Sequence, residues 1–164
     1  MSYAYTQGVV SPVTVSATSE AVLAQMVVPL LSPAATAGMT FRITCLCSFA
    51  VGGTAGTITA HARIGGLTGQ SLGTCVTGTL TLSTSGAVII RGYVTLLTPQ
   101  AGAASNWSGA VEMAGTGTGA TVLGAGVATP TLSIVTPQYF VVTATLSSST
   151  SSLVMNSAII EQVV

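Results

Sequence analysis

Residues 38–51 read GMTFRITCLCSFAV, and every odd-numbered residue in this stretch is apolar. Successive side chains of a β-strand point to opposite faces, so an extended chain would place all of these residues on one side. They are Met39, Phe41, Ile43, Cys45, Cys47, Phe49 and Val51. The opposite side is mixed and consists of Thr40, Arg42, Thr44, Leu46, Ser48 and Ala50. The pattern predicts a long central strand with Phe41 and Phe49 in the core.

Charge is scarce in this sequence. Charged residues make up 4% of the 164-residue chain, compared with about 25% in ordinary soluble domains. The complete set is Glu20, Arg42, Arg63, Arg91, Glu112 and Glu161, with a net charge of +0, and the mean hydropathy is +0.77. Such a chain has little to keep its copies apart in solution, so we expect it to work within an assembly. Its length predicts one domain whose core needs no disulfide or metal.

The same composition argues against several classes of partner. No run of 18 or more apolar residues is present, so we expect no membrane-spanning helix and no membrane partner. Three scattered arginines cannot form the basic patch that phosphate binding needs, so we expect no nucleic-acid partner. The first residues lack the basic and apolar regions of a secretory signal, which predicts synthesis and retention in a reducing cytoplasm.

Apolar–polar alternation recurs along the rest of the chain, with turns rich in Gly, Ser, Thr and Pro between the alternating segments. The predicted strands begin at Val13 and then cover 21–30, 38–51, 57–64, 71–82, 87–97, 127–135, 138–146 and 153–164. We expect Gly78 to break the segment 71–82 and Pro130 to force an edge or a bulge. Both faces of 87–97 are largely apolar, which predicts a central strand. On the last strand, Leu153, Met155, Ile159 and Val163 are predicted to share one face.

These segments predict an all-β domain, either a sandwich or a closed barrel. We favour a two-sheet antiparallel β-sandwich of the jelly-roll type, with about ten strands and no significant helix, because strand lengths vary and long connections recur. Segment 21–30 also fits a helix, but its β-branched residues and nearby prolines favour a strand. Residues 1–15 are expected to form an extended N-terminal arm and a first short strand, and 16–164 a single jelly-roll domain.

The sequence offers little for a metal or a cofactor. Cys45 and Cys47 would lie on one strand face about 6 to 7 Å apart, at or beyond disulfide geometry, so we interpret them as buried free thiols. A zinc site would have to add Cys75 and His61, yet His61 falls on the polar face of its own strand. Residues 115–126, GTGTGATVLGAG, lack the glycine register and the following helix of a dinucleotide-binding loop. We expect neither a metal nor a cofactor.

Catalytic constellations are equally weak. The three glutamates are far apart in sequence, whereas a glycosidase needs two carboxylates facing one cleft. A Ser–His–acid triad would have only one histidine, His61, to use. We therefore expect that the protein is not an enzyme and that its arginines pair with its glutamates on strand surfaces.

Four segments of the chain form a recognisable series, namely MTFRITCLCSFA, ITAHARIGG, GAVIIRGYVTLLTPQAGA and YFVVTATLSSSTSSLVMNSAIIEQVV. Together they resemble small jelly-roll structural proteins of tailed bacteriophages, and the resemblance covers roughly residues 20–164. It implies a virion component made in the host cytoplasm, and no enzyme. A capsid decoration (cement) protein, which binds the major capsid protein of the assembled head and stabilises it, fits best. The alternative is a tail or fibre module, such as a minor tail protein.

Each of these hypotheses has its own candidate contact residues. Uncharged residues 1–11 carry Tyr3, Tyr5, Val9 and Val10, and could add as a strand to a partner's sheet edge or belong to the chain's own sheet. A receptor-binding tail module would need glycan-stacking platforms, for which the candidates are Trp107, Tyr93 and Tyr139. The shell protein of a small virus fits less well, because residues 1–20 contain no basic residue. Nearly uncharged faces predict a homo-oligomer, and the resemblance favours a trimer.

Overall fold

A computed structural model describes residues 12–16, 18–28, 38–53, 55–65, 74–98, 106–116, 121–128 and 138–163. These residues form ten β-strands and no helix, which confirms the all-β prediction. The strands are β1 (Val13–Val15), β2 (Ala21–Val28), β3 (Thr40–Ala50), β4 (Gly56–Gly65), β5 (Thr74–Leu82), β6 (Gly86–Thr98), β7 (Asn106–Gly115), β8 (Thr121–Ala128), β9 (Gln138–Leu146) and β10 (Ser152–Val163).

The strands form two antiparallel sheets that pack face to face. One sheet has six strands in the order β1-β10-β3-β6-β7-β8, and the other has four in the order β2-β9-β4-β5. Four of the pairs are nested along the chain, namely β1 with β10, β2 with β9, β3 with β6 and β4 with β5. This nesting is a long hairpin rolled into two sheets, as in a jelly roll. The hairpin β7–β8 widens the larger sheet beyond β6.

Strand β3 occupies the centre of the larger sheet, as its stripe of apolar residues predicted. It lies between β10 and β6, and its odd-numbered side chains from Phe41 to Phe49 are all buried. Phe41 is 0% exposed and packs against Trp107, with 6.5 Å between the ring centroids. The prediction that Phe41 and Phe49 belong to the core is confirmed.

Gly92, in the middle of β6, lies in close contact with the opposing sheet. A Cβ atom at this position would lie 2.6 Å from Cγ2 of Val142 on the opposing sheet and 3.4 Å from the ring of Phe140. Real Cβ atoms do not come this close to a neighbour, so a side chain here would have to displace Val142. The absence of a side chain at position 92 therefore leaves the space that Val142 of β9 occupies.

The prediction for the last strand is half wrong. Leu153 and Met155 are buried, but Ile159 and Val163 are 38% and 37% exposed. A β-bulge between Met155 and Ser157 changes the register against β3. One extra residue reverses the faces of everything that follows, so Ala158 and Ile160 enter the core instead.

Two further predictions need correction. Strand β5 runs through Gly78 without a break, because Gly78 faces the core and a Cβ there would lie 3.2 Å from Val111. Strand β7 was not predicted, and strand β8 was missed because it lies in the glycine- and threonine-rich tract that carries no apolar alternation. Of the predicted strand 127–135, only the first two residues are described, and they end β8.

Candidate functional site

All six charged side chains of the protein neutralise one another in three ion pairs. Arg42 on β3 lies 2.5 Å from Glu161 on β10, and Arg91 on β6 lies 3.2 Å from Glu112 on β7. Arg63 on β4 donates two hydrogen bonds to Glu20, at 2.6 and 2.7 Å. The expectation that the arginines pair with the glutamates is confirmed.

Two of these pairs join into one strip across the outer face of the six-stranded sheet. Tyr93 lies between them and donates its hydroxyl hydrogen to Glu112 at 3.3 Å. The strip crosses four adjacent strands in the order Glu161, Arg42, Tyr93, Glu112, Arg91. The hydrogen bond with Glu161 raises the pKa of Arg42, and Tyr93 adds to this effect. We call these five residues the charge strip.

Exposed apolar side chains surround the charge strip. Five large apolar residues of the described chain are exposed, and four of them lie on the six-stranded sheet. They are Leu46 (38%), Leu97 (40%), Ile159 (38%) and Val163 (37%). We call the outer face of the six-stranded sheet, with the charge strip and these four residues, the assembly face. Its charges already have partners, so another surface could cover it without leaving a charge unpaired.

The outer face of the four-stranded sheet has a different character. Threonines at matching positions of three neighbouring strands line up in register, with Thr59 opposite both Thr79 and Thr145. Thr57 and Thr81 are also opposite each other, and their hydroxyl oxygens are 3.0 Å apart. Val27 is the only large exposed apolar side chain of this sheet among the described residues. This hydroxyl-rich face is suited to contact with water.

The third ion pair lies on this second face and forms a small polar cluster. Thr143 is fully buried and donates a hydrogen bond to Glu20, which also accepts from Arg63. His61 Nδ1 lies 2.9 Å from the hydroxyl of Thr77. These hydrogen bonds tie the start of β2 to β4 and β9, so the cluster stabilises the sheet.

Burial and charge act in opposite directions on the two titratable groups of this cluster. Burial alone would raise the pKa of Glu20, but hydrogen bonds from Arg63 and Thr143, together with the positive charge of Arg63, hold it below its usual value. Burial lowers the pKa of His61, and the charge of Glu20 only partly offsets this. Both groups therefore make the folded state more stable at neutral pH than in acid.

Cys45 and Cys47 are free thiols on the core side of β3, as predicted. Burial raises the pKa of both thiols, that of Cys47 to about 12, so neither is a ready nucleophile or metal ligand. His61 lies on the other sheet and faces outward. The side chain of Cys75 is outside the described part. Among the described residues, no three His, Cys, Asp or Glu side chains converge, and no helix is long and apolar enough to cross a membrane.

The three candidate glycan-stacking residues are not brought together. Trp107 is 1% exposed and packs in the core, so the expectation of a stacking platform at this residue is wrong. Its Nε1 has no hydrogen-bond partner within the described ranges. Tyr93 is half-buried in the charge strip, and Tyr139 is half-buried on β9 of the opposite sheet.

The other candidate contacts, Tyr3, Tyr5, Val9 and Val10, lie outside the described residues. The assembly face itself was missed in the sequence, because the exposure of Ile159 and Val163 depends on the bulge in β10. A signal was present. Asn156 and Ser157 interrupt the alternation, and the Ile159–Ile160 doublet marks the change of face.

Comparison of the chain with protein-family models, with curated proteins and with solved structures finds no match.

Proposed function

We propose that this chain is a structural protein of a virion, and specifically a decoration (cement) protein that binds the assembled head of a tailed phage and stabilises it. The assembly face is the observation that carries the proposal. A protein that works alone usually keeps unpaired charges on its surface for solubility, whereas this one uses every charge internally.

The physics of docking favours such a surface. Exposed apolar side chains gain about 25 cal/mol for each Å² that a partner removes from water. Burying an unpaired charge would cancel this gain, but the four charges on the assembly face already lie in the pairs Arg42–Glu161 and Arg91–Glu112. A neutral sheet face bearing apolar residues therefore suits lasting contact with a large protein shell.

The same reasoning extends to copies of the chain itself. We propose that the protein forms a homo-oligomer, a trimer on the resemblance to phage jelly-roll proteins, and that the major capsid protein is its partner in the virion. It would be made in the host cytoplasm and retained in the particle.

A tail or fibre module is the second candidate, because the resemblance to phage jelly-roll proteins also includes modules of this kind. Its glycan-binding form is weakened by the burial of Trp107, which leaves Tyr93 and Tyr139 on different sheets. The two candidates differ in where the protein sits, so its location in a reconstructed particle separates them.

Co-sedimentation with assembled capsids that lack the protein tests the proposal. We expect the purified chain to pellet with capsids and to raise the temperature at which they disrupt. Leu46→Lys should abolish this, because it places a new charge within the assembly face, where Leu46 is 38% exposed.

Thr79→Lys is the matched control. It adds the same charge at an exposed strand position on the opposite face, and should bind capsids as well as the unsubstituted protein does. Equal binding by both variants would refute the assignment of the assembly face. Failure of the unsubstituted chain to bind heads, with density for it found in the tail, would replace the decoration function with that of a tail module.

A further inference from the structure

Strand β10 is much longer than the strand that pairs with its outer edge. It pairs with β3 from Ser152 to Val163, whereas β1 pairs with it only from Leu153 to Met155. Within the described chain, nothing pairs with the outer edge of β10 from Ser157 to Val163. Alternate backbone N–H and C=O groups there point away from β3. We call this stretch the open edge of β10.

Two features interrupt the chain's own ladder where the open edge begins. Pro12, the residue before β1, has no N–H group, and proline within sheets is confined to strand ends, edges and bulges. Directly beyond Met155, the partner of Val13, β10 has its bulge, which bends a strand and shifts its register. Both features disfavour a simple continuation of β1 along its own β10.

The side chains of the open edge favour an apolar, uncharged covering. Ile159 and Val163 are more than a third exposed, although both are large and apolar. Glu161, the only charged residue of this stretch, is neutralised by Arg42. Natural proteins rarely leave a long edge of this kind uncovered, because it pairs readily with another chain.

The sequence just before Pro12 has the required properties. Residues 1–11 carry no charge, and on an extended strand Tyr3, Tyr5 and Val9 share one face while Val10 lies on the other. The open edge, Ser157–Val163, is seven residues long, and this segment has eleven. Ser11 is biased toward an extended backbone because it precedes a proline.

We propose that residues 1–11 of one copy add as a strand to the open edge of β10 in a neighbouring copy. Backbone hydrogen bonds would supply the affinity, and Tyr and Val side chains would cover Ile159 and Val163. The inference rests on the self-association proposed above and names the contact that produces it. Residues 1–11 and the open edge of β10 are different surfaces of the chain, so the contact is heterologous. It closes into a ring, such as a trimer, when the rotation between neighbouring copies allows.

Cysteine cross-linking between two differently tagged, co-expressed full-length chains tests this. Both carry Cys75→Ser, and Cys45 and Cys47 remain because they are buried. One chain has a cysteine placed singly at each position from 5 to 10, and the other has Ile159→Cys. We expect disulfides between the two chains at alternate arm positions, at least tenfold faster than at the intervening ones.

Leu46→Cys on the second chain is the matched control. Leu46 has the same 38% exposure as Ile159 on the same sheet, but it lies on the interior strand β3, where no strand can be added. Its cross-linking should be at least tenfold slower. A third protein carries both a cysteine within residues 5–10 and Ile159→Cys in the same chain. A disulfide within that chain reports pairing of residues 1–11 with their own β10.

The outcomes separate the two proposals. Any of three results would overturn strand exchange but not self-association. The disulfides could form only within the doubly substituted chain, or they could form at equal rates at all tested positions of residues 1–11. The protein could also sediment as an oligomer without forming any cross-link. A monomer at micromolar concentration in sedimentation of the unsubstituted protein would instead overturn the self-association on which it rests.

Discussion

Substitution of Gly92 by alanine should destabilise the protein, and shortening Val142 should relieve the effect. Gly92 is not among the glycines with positive φ in the described chain, so alanine fits its backbone. The conflict is with the opposing sheet, because the new methyl group would lie 2.6 Å from Cγ2 of Val142. Val142 is fully buried and β-branched, so it cannot rotate away.

The magnitude follows from opposing contributions. Overpacking a rigid core costs about 1 to 3 kcal/mol, and replacing glycine returns about 0.4 to 1 kcal/mol by restricting the unfolded chain. Gly92→Ala should therefore lower the free energy of unfolding by about 1 to 2 kcal/mol. Val142→Ala removes two buried methyl groups and leaves a cavity, for a loss of about 2 to 3 kcal/mol. The double variant should lose about 1 to 2 kcal/mol less than the sum, because the new methyl fills the cavity.

Urea unfolding at one fixed protein concentration, followed by the fluorescence of the buried Trp107, measures these values. Gly115→Ala is the control, since its methyl group would approach Leu82 at 2.8 Å and not Val142. Its effect should add to that of Val142→Ala within about 0.5 kcal/mol. Additive losses for Gly92→Ala and Val142→Ala would show that the two side chains do not compete for the same space.

Phe41→Ala should lower the free energy of unfolding by about 3 to 5 kcal/mol, and a loss below about 1 kcal/mol would contradict its core position. Thiol titration should find three free thiols after unfolding without reductant, and Cys45 and Cys47 should be unreactive in the folded protein. The lowered pKa of Glu20 stabilises the fold above its unfolded value of about 4.3, and this contribution is lost as the pH falls through the folded pKa. Melting temperatures in acid should therefore fall more steeply for the unsubstituted protein than for Glu20→Gln, and parallel curves would remove Glu20 from the acid response.

Much of this fold could be predicted from the sequence because most strands are buried on one face only. In β3 and β4 buried residues alternate with less buried ones except at Thr44 and Gly65, so the sequence showed which side chains face the core. The pairing of arginines with glutamates could also be predicted, because a chain with three of each has few other ways to neutralise these charges.

The errors arose where local pattern and tertiary contact diverge. The bulge after Met155 is set by the pairing of β10 with β3, and it reversed the faces of Ile159 and Val163. Gly78 was predicted to break its strand, but it packs closely against Val111 of the opposing sheet. The local sequence gives no sign of this contact. Trp107 lies in the core because it meets Phe41, which is 66 positions away in sequence.

The internal pairing of all six charges has a consequence for how the protein meets its partners. Because all six charged side chains are paired, they produce almost no long-range electrostatic field. An approaching surface is therefore neither attracted nor repelled before contact. Encounters should then proceed at the unsteered rate of about 10⁵ to 10⁶ M⁻¹s⁻¹, and added salt should change that rate very little. Such a protein would dock with equal speed in dilute and in concentrated electrolyte, both inside a cell and outside it.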